Sequence, residues 1–348
     1  MKLGAIAQNV LERLVLAAGL IPTPLIDTHI AMLLARTVMS ATKLGIFEAL
    51  AEGPLTAGEV AARCDTHPAA TGKLLDALVG VGYVQALGER YDLAPLARKW
   101  LLQASPRSLY PKMLLQFVEW EWIEHSDEFV RSGTPLQIHE RLAPEEWAHY
   151  QQAMRSLALF AAPEVGWRTP VPRGAREMLD IGGAHGYFSV AICRRHPALR
   201  SVILDLPEAV AQAAPLLARE GMGDRIRYRA GNVLTDDLGS EAFDLVFMAN
   251  VAHHFDAETN RALAERVARA LRPGGVYVIQ EAIRPRSAQE AGQFASLLDF
   301  YFAYTSESGA WSYEEMAAWQ REAGLAPRKP IRFRLAMGAG QQVAVKVS

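Results

Sequence analysis

From residue 177 onward, apolar and polar positions fall into two alternating kinds of segment. MLDIGG, SVILDLP, IRYRAGNV, FDLVFMANV and GVYVIQEAI are short apolar runs that read as strands buried on both faces. Between them, GYFSVAICRRH, PEAVAQAAPLLARE and NRALAERVARALRPGG carry apolar residues at helical spacing. Strand and helix in alternation predict an α/β unit with a parallel, doubly wound, Rossmann-like sheet, whose ligands bind at the carboxyl ends of the strands. PVPRGAR, residues 170 to 176, reads as the linker before it.

The first third follows a different rhythm. Residues 28 to 52 predict one long helix, stopped by Gly53 and Pro54. Thr56 and Glu59 have the spacing of a capping box, and Pro68 suits the first turn of a second helix, PAATGKLLDALVGVG. YVQALGERYDL then reads as a hairpin, so the unit is predicted to be a winged helix. Its charge argues against DNA: from Leu55 to Pro95, Arg63, Lys73 and Arg90 are outnumbered by Glu59, Asp65, Asp76, Glu89 and Asp92. A dimerising or packing role fits better than that of a regulator sensing a small molecule.

Residues 106 to 168 are helical in pattern and rich in aromatics. Tyr110, Phe117, Trp120, Trp122, Trp147 and Tyr150 are expected either to line a pocket for a flat apolar ligand or to fill an interdomain core. The predicted division is a helical, winged-helix unit over 1–105, a helical connector over 106–170 and the α/β unit over 171–348.

Composition narrows the class without changing this picture. A formal charge of −2 over 348 residues gives no general attraction to nucleic acid or an anionic membrane. Cys64 and Cys193 are too few for a disulfide framework, so a reducing cytoplasm is expected. Gln8, Asn9, Glu12 and Arg13 interrupt the first apolar run, which reads as an amphipathic helix rather than a signal peptide. No apolar run approaches the roughly 18–20 residues of a membrane span.

The chemistry is concentrated at strand ends. In LDIGGAHGYFS, Gly182, Gly183 and Gly186 allow a tight turn and close approach to a ligand. A dinucleotide fingerprint would need glycine where Ala184 and Tyr187 stand. Asp180 beside the loop would repel a pyrophosphate and attract an ammonium or sulfonium group, which points to a cationic cofactor without phosphates. Asp205, 25 residues on, can accept hydrogen bonds from ribose hydroxyls or cap the following helix. Asn232 ends the third strand, where its amide can reach an adenine edge.

The ordered set LDIGGAHG, ILDLPEAV, AGNVL, FDLVFMANVAHHF and ALRPGGVYVIQEAI resembles the class I S-adenosylmethionine-dependent methyltransferases. With the winged helix it resembles the plant-type and bacterial secondary-metabolite O-methyltransferases over essentially the whole chain. The resemblance implies S-adenosylmethionine as cofactor, a homodimer formed through the amino-terminal domain, and metal-free methylation of a small aromatic or polyketide-like hydroxyl compound. It further implies cofactor contacts at Gly182, Gly183, Asp205, Leu206, Asn232 and Val233, and a substrate pocket with Met154, Phe300, Tyr301 and Thr305. At Asn232 the family usually has Asp; the amide still offers an acceptor oxygen to the adenine amine.

Within this frame the adjacent histidines separate. His253 falls on the family's general base, and Glu281, 28 residues on, falls on its orienting carboxylate. His254 replaces an aspartate and is expected to have no role. Neighbouring histidines at a strand end are expected to point in different directions, and no third ligand has recognisable spacing, so no metal is expected. Ala310 stands where the family has a second glutamate, with Glu307 three residues upstream. Its absence leaves open methylation of nitrogen or carbon, or cofactor-dependent chemistry without methyl transfer.

Overall fold

Thr56 and Glu59 close their capping box as the spacing predicts. The Glu59 amide donates to Thr56 Oγ1 at 3.3 Å, and the Thr56 amide donates to the Glu59 carboxylate at 2.7 Å. This computed structural model describes residues 4–287, 289–290, 292–336 and 338–347, and the chain divides into two units, Met1–Phe117 and Val118–Ser348. In the first, strand β1 (Leu55–Thr56) leads into helices Ala57–Cys64 and Pro68–Gly80, then β2 (Val84–Leu87) and β3 (Arg90–Leu93). The strands order β1-β3-β2, giving the predicted winged helix.

The long helix expected over 28–52 is broken. Ala31–Lys43 is regular, Gly45 takes φ 76°, and a separate turn Ile46–Ala49 follows. The left-handed glycine lets Ile46 and Phe47 turn into the core, where they pack with Val38, Leu50, Val60, Leu75 and Leu78. Val10, Leu11, Leu14, Met32 and Leu33 stay exposed on the preceding helices.

The division between the units falls inside the helix Tyr110–Glu124, beyond the predicted boundary at 105. In the second unit, helices Ser126–Ser132 and Pro144–Arg168 precede the sheet. Its strands are β4 (Glu177–Ile181), β5 (Arg200–Asp205), β6 (Ile226–Ala230), β7 (Phe243–Ala249), β8 (Leu271–Ala282), β9 (Leu325–Pro327), β10 (Ile331–Arg332) and β11 (Ala339–Lys346). They order β10-β11-β8-β7-β4-β5-β6, with β9 also on β11. β4 to β8 pair in parallel; β11 is antiparallel to β8.

Both faces of this sheet are covered, which is why its strands read as apolar runs. Leu179, Val246, Tyr277 and Ile279 pack against Leu263, Val267, Met316 and Trp319. Met178, Leu245, Phe247 and Val278 face the other way, onto Ala162, Val165 and Ile192. Strand order reverses at β4, which opens a crevice beyond the carboxyl ends of β4, β5 and β7. Among the described residues no helix is long and apolar enough to cross a membrane.

Candidate active site

The loops after β4, β5, β6 and β7 converge on a cavity of about 560 Å³, within the range of small-molecule clefts. Gly182 (φ 62°) and Gly183 form its floor, where a Cβ at Gly182 would meet Val251 at 2.5 Å and one at Gly183 the Asp180 carboxyl at 2.6 Å. Ala184 takes φ 46° without being glycine. Its amide donates to Asp205 Oδ2 at 2.7 Å, and its carbonyl accepts from the Tyr228 hydroxyl at 2.7 Å.

Two carboxylates face this cavity from neighbouring strand ends. Burial pushes Asp180 up to about 7, against a hydrogen bond from Ser189 (2.6 Å) that pulls it down. Its Oδ1 is buried with no partner. Burial likewise raises Asp205 to about 6, although the Ala184 and Leu206 amides donate to it. The Asn232 side-chain oxygen accepts from the Leu234 amide at 2.9 Å, which leaves one lone pair of that oxygen and the NH₂ for a ligand.

The histidines lie on a 3₁₀ turn, Ala252–His254, after Asn250 has bent the chain through φ 55°. Three residues per turn send consecutive side chains about 120° apart. His253 turns inward, where Nδ1 bonds Glu281 Oε2 at 2.9 Å, and its ring stacks on Phe302 at 4.2 Å. Glu281 Oε1 accepts the Ala252 amide at 2.8 Å, while the Ala252 carbonyl accepts from Trp311 Nε1 and Asn260 Nδ2, each at 2.9 Å. The turn is thus clamped from several sides, which preorganises the pair.

His254, expected to have no role, lines the cavity, whereas His253 does not. The two ring centroids lie 4.1 Å apart, although the side chains have different surroundings, His253 on Glu281 and Phe302 and His254 at the cavity. His139 meets His254 edge-on at 4.4 Å and bonds the Tyr150 hydroxyl at 3.0 Å. Burial pushes His139 down to about 4, and His254 well below its ordinary value, with the neighbouring histidines adding to it. Among the described residues no three His, Cys, Asp or Glu side chains are grouped to hold a metal ion.

Gly182, Gly183, Asp205, Leu206, Asn232 and Val233 all line the cavity, as do Met154 and Thr305. Phe300 and Tyr301 do not, because helix Gln293–Thr305 meets the cavity only at its carboxyl end. Phe300 packs on Phe129 and Tyr304, and Tyr301 donates its hydroxyl to Glu119 at 3.3 Å. Of the six aromatics singled out, only Trp147 and Tyr150 reach the cavity. Glu307 lines it but accepts from Gln137 Nε2 at 3.2 Å, and the Ala310 amide is held by Asp299, so neither supplies a second carboxylate to His253. Gln137, His139 and Gln151, none of them in a quoted motif, are among its other polar lining residues, as is His185 of the LDIGGAHGYFS loop.

Residues 132–326 match the O-methyltransferase domain, and residues 28–103 match the O-methyltransferase dimerisation domain. The chain belongs to the O-methyltransferase family. This methyltransferase is 29% identical to the N,N-dimethyltransferase OxyT of Streptomyces rimosus, over 90% of its own length and 93% of the relative's. It is 26% identical to the 3-hydroxy-5-methyl-1-naphthoate 3-O-methyltransferase of Streptomyces sahachiroi, over 93% and 95%. Its fold is that of human N-acetylserotonin methyltransferase in complex with S-adenosylmethionine, with a TM-score of 0.83, 20% identity, and 99% and 100% of the chains covered.

The family's cofactor is S-adenosylmethionine, and the residues present fit it. The glycine floor has no room for side chains, and the unpartnered Asp180 oxygen suits a cationic group. Asp205 stands at the end of β5, as a ribose-binding acid should.

Proposed function

We propose that the protein methylates a hydroxyl oxygen of a small aromatic or polyketide-like compound in secondary metabolism, with His253 as general base. The observation that carries this reading is the buried, doubly anchored His253–Glu281 pair behind the cavity wall. When bound, S-adenosylmethionine supplies an electrophilic methyl group on its sulfonium. Gly182 and Gly183 bring backbone close to it, Asp205 accepts from the ribose hydroxyls, and Leu206, Asn232 and Val233 flank the adenine. Glu281 keeps the proton of neutral His253 on Nδ1, which leaves Nε2 free to take the acceptor's proton, and it stabilises the imidazolium that forms. Met154 and Thr305 bound the acceptor side, with Trp147 and Tyr150 as its aromatic wall.

The dimerisation-domain match and the exposed apolar residues before it support a homodimer. Transfer to an amine nitrogen is a second reading, favoured by the likeness to OxyT; the same base serves both. His253→Ala tests the first: turnover falls about 10²-fold or more while S-adenosylhomocysteine affinity stays within a few-fold. Wild-type turnover in that variant removes the base.

A further inference from the structure

The acceptor side of the cavity offers negative charge and no positive charge. Glu140 and Glu307 line it, on the segments that carry His139 and Thr305, and both are exposed. The Gln137 amide that donates to Glu307 is neutral and leaves its charge uncompensated. Among the described residues no lysine or arginine lines the cavity. Its histidines supply no cation either: burial pushes His139 down to about 4 and His254 well below its ordinary value, so both are neutral near pH 7. Helix Gln293–Thr305 adds to the bias, because the end that meets the cavity is the negative end of its macrodipole.

Two buried oxygens on the same wall lack partners. Gln151 Oε1 and Ser306 Oγ make no hydrogen bond among the described residues, and the two residues are 1% and 4% exposed. Gln151 shares a helical stripe with Trp147, Tyr150 and Met154, so its side chain turns toward the cavity with theirs. Ser306 follows directly on the helix end that meets the cavity. Gln341 Oε1 is unpartnered too, but Gln341 does not line the cavity. A carbonyl oxygen can only accept and a hydroxyl can do so, so both suit the N–H or O–H groups of a ligand.

We propose that the acceptor carries a protonated amine besides its reacting hydroxyl, drawn in by Glu140 and Glu307, and that its donor groups meet the open oxygens of Gln151 and Ser306. This rests on the reading of the cavity as the acceptor site of a methyltransferase. A carboxylate-bearing acceptor would be desolvated there beside two carboxylates with no cation to pair it, so such compounds are selected against. The two glutamates are exposed, so water and salt screen them and the preference is moderate in size.

Benzylamine, benzyl alcohol and benzoate share a ring and differ in charge. Their binding to the protein saturated with S-adenosylhomocysteine, followed by ligand-observed NMR, reads the preference without any methyl transfer. Benzylamine binds roughly tenfold tighter than benzoate at low ionic strength, with the alcohol between them, and the gap narrows in high salt. Glu140→Gln combined with Glu307→Gln closes that gap by roughly threefold or more. Gln151→Leu and Ser306→Ala each weaken benzylamine by roughly threefold, with thermal melts to confirm folding. Equal binding of the three compounds, tighter binding of benzoate, failure of benzylamine to bind, an unchanged gap in the double variant, or unchanged benzylamine affinity in both single variants overturns the proposal. His253→Ala separates this from the base: its charge preference stays that of the unsubstituted protein, while its turnover alone decides whether His253 takes the proton.

Discussion

Replacing Glu281 with glutamine tests the base with little disturbance of packing, because the side chain is 1% exposed and the two residues are nearly isosteric. Two donors converge on its oxygens, the Ala252 amide at 2.8 Å and His253 Nδ1 at 2.9 Å. Glutamine brings one oxygen and one NH₂, so it satisfies only one of them. If its NH₂ faces Ala252, a buried backbone amide loses its partner, at about 1–3 kcal/mol. If it faces His253, the ring must move its proton to Nε2, which removes the lone pair that would accept the substrate proton. A charge-assisted hydrogen bond is also worth about 1–2 kcal/mol more than a neutral one, or roughly 5- to 30-fold in stabilising the imidazolium. With the tautomer penalty added, kcat should fall about 10²-fold, with S-adenosylhomocysteine affinity unchanged. The assay is labelled-methyl transfer to a small hydroxylated aromatic acceptor that the unsubstituted protein methylates, at saturating cofactor, with a thermal melt to confirm folding. His253→Ala with Glu281→Gln should be no slower than His253→Ala alone, because the two act as one unit. A folded Glu281→Gln enzyme within threefold of wild type would refute the pairing.

Asp180 predicts a pH dependence. Its folded pKa of about 7 lies above the ordinary 3.8, so its contribution to ligand-free stability is full below about 4 and is lost as pH rises through 7. Asp180→Asn should flatten that slope in melts of the ligand-free protein while Asp205 still titrates. Binding of an ammonium-bearing ligand favours the ionised form, so S-adenosylhomocysteine affinity should rise with pH through about 7; a flat affinity profile would rule out Asp180 as the group. Ala184→Gly should raise Tm: a left-handed alanine costs about 1–2 kcal/mol, glycine's added chain entropy about 0.5–1, and the net gain is roughly a few degrees or less. A lowered Tm would show that the Ala184 methyl is needed where it is. Gly183→Ala puts a Cβ 2.6 Å from the Asp180 carboxyl and 2.9 Å from Ile203, and should cost about 1–3 kcal/mol; an unchanged melt and S-adenosylhomocysteine affinity would contradict the tight floor.

What could be read in the chain was whatever the backbone writes locally. Strands buried on both faces leave apolar runs, and the pairing of β7 with β8 sets Ala249 opposite Gln280. His253 and Glu281 therefore both fall just past that shared end, and their nearness could be inferred from spacing. The cavity-facing role of His254 could not, because it depends on Asn250 taking φ 55° and starting a 3₁₀ turn. β11 was hidden for a different reason. Gln341 and Gln342 make a core strand look polar, and only the fold supplies their partners Thr169, Gln280 and Gln320. Phe300 and Tyr301 were assigned by family position, which does not fix which part of a helix reaches a cavity.

Gln151 is the case where sequence held a usable signal. Trp147, Tyr150, Met154, Ala158 and Ala161 form one helical stripe along the cavity, and Gln151 stands within it where the pattern calls for an apolar residue. The buried glutamines of β8 and β11 break their pattern too, and their side chains find partners within the fold, although Gln341 Oε1, like Gln151 Oε1, is left without one among the described residues. A polar residue in an apolar stripe is therefore ambiguous in the chain, and whether its hydrogen bonds are met is decided by the fold rather than by the pattern.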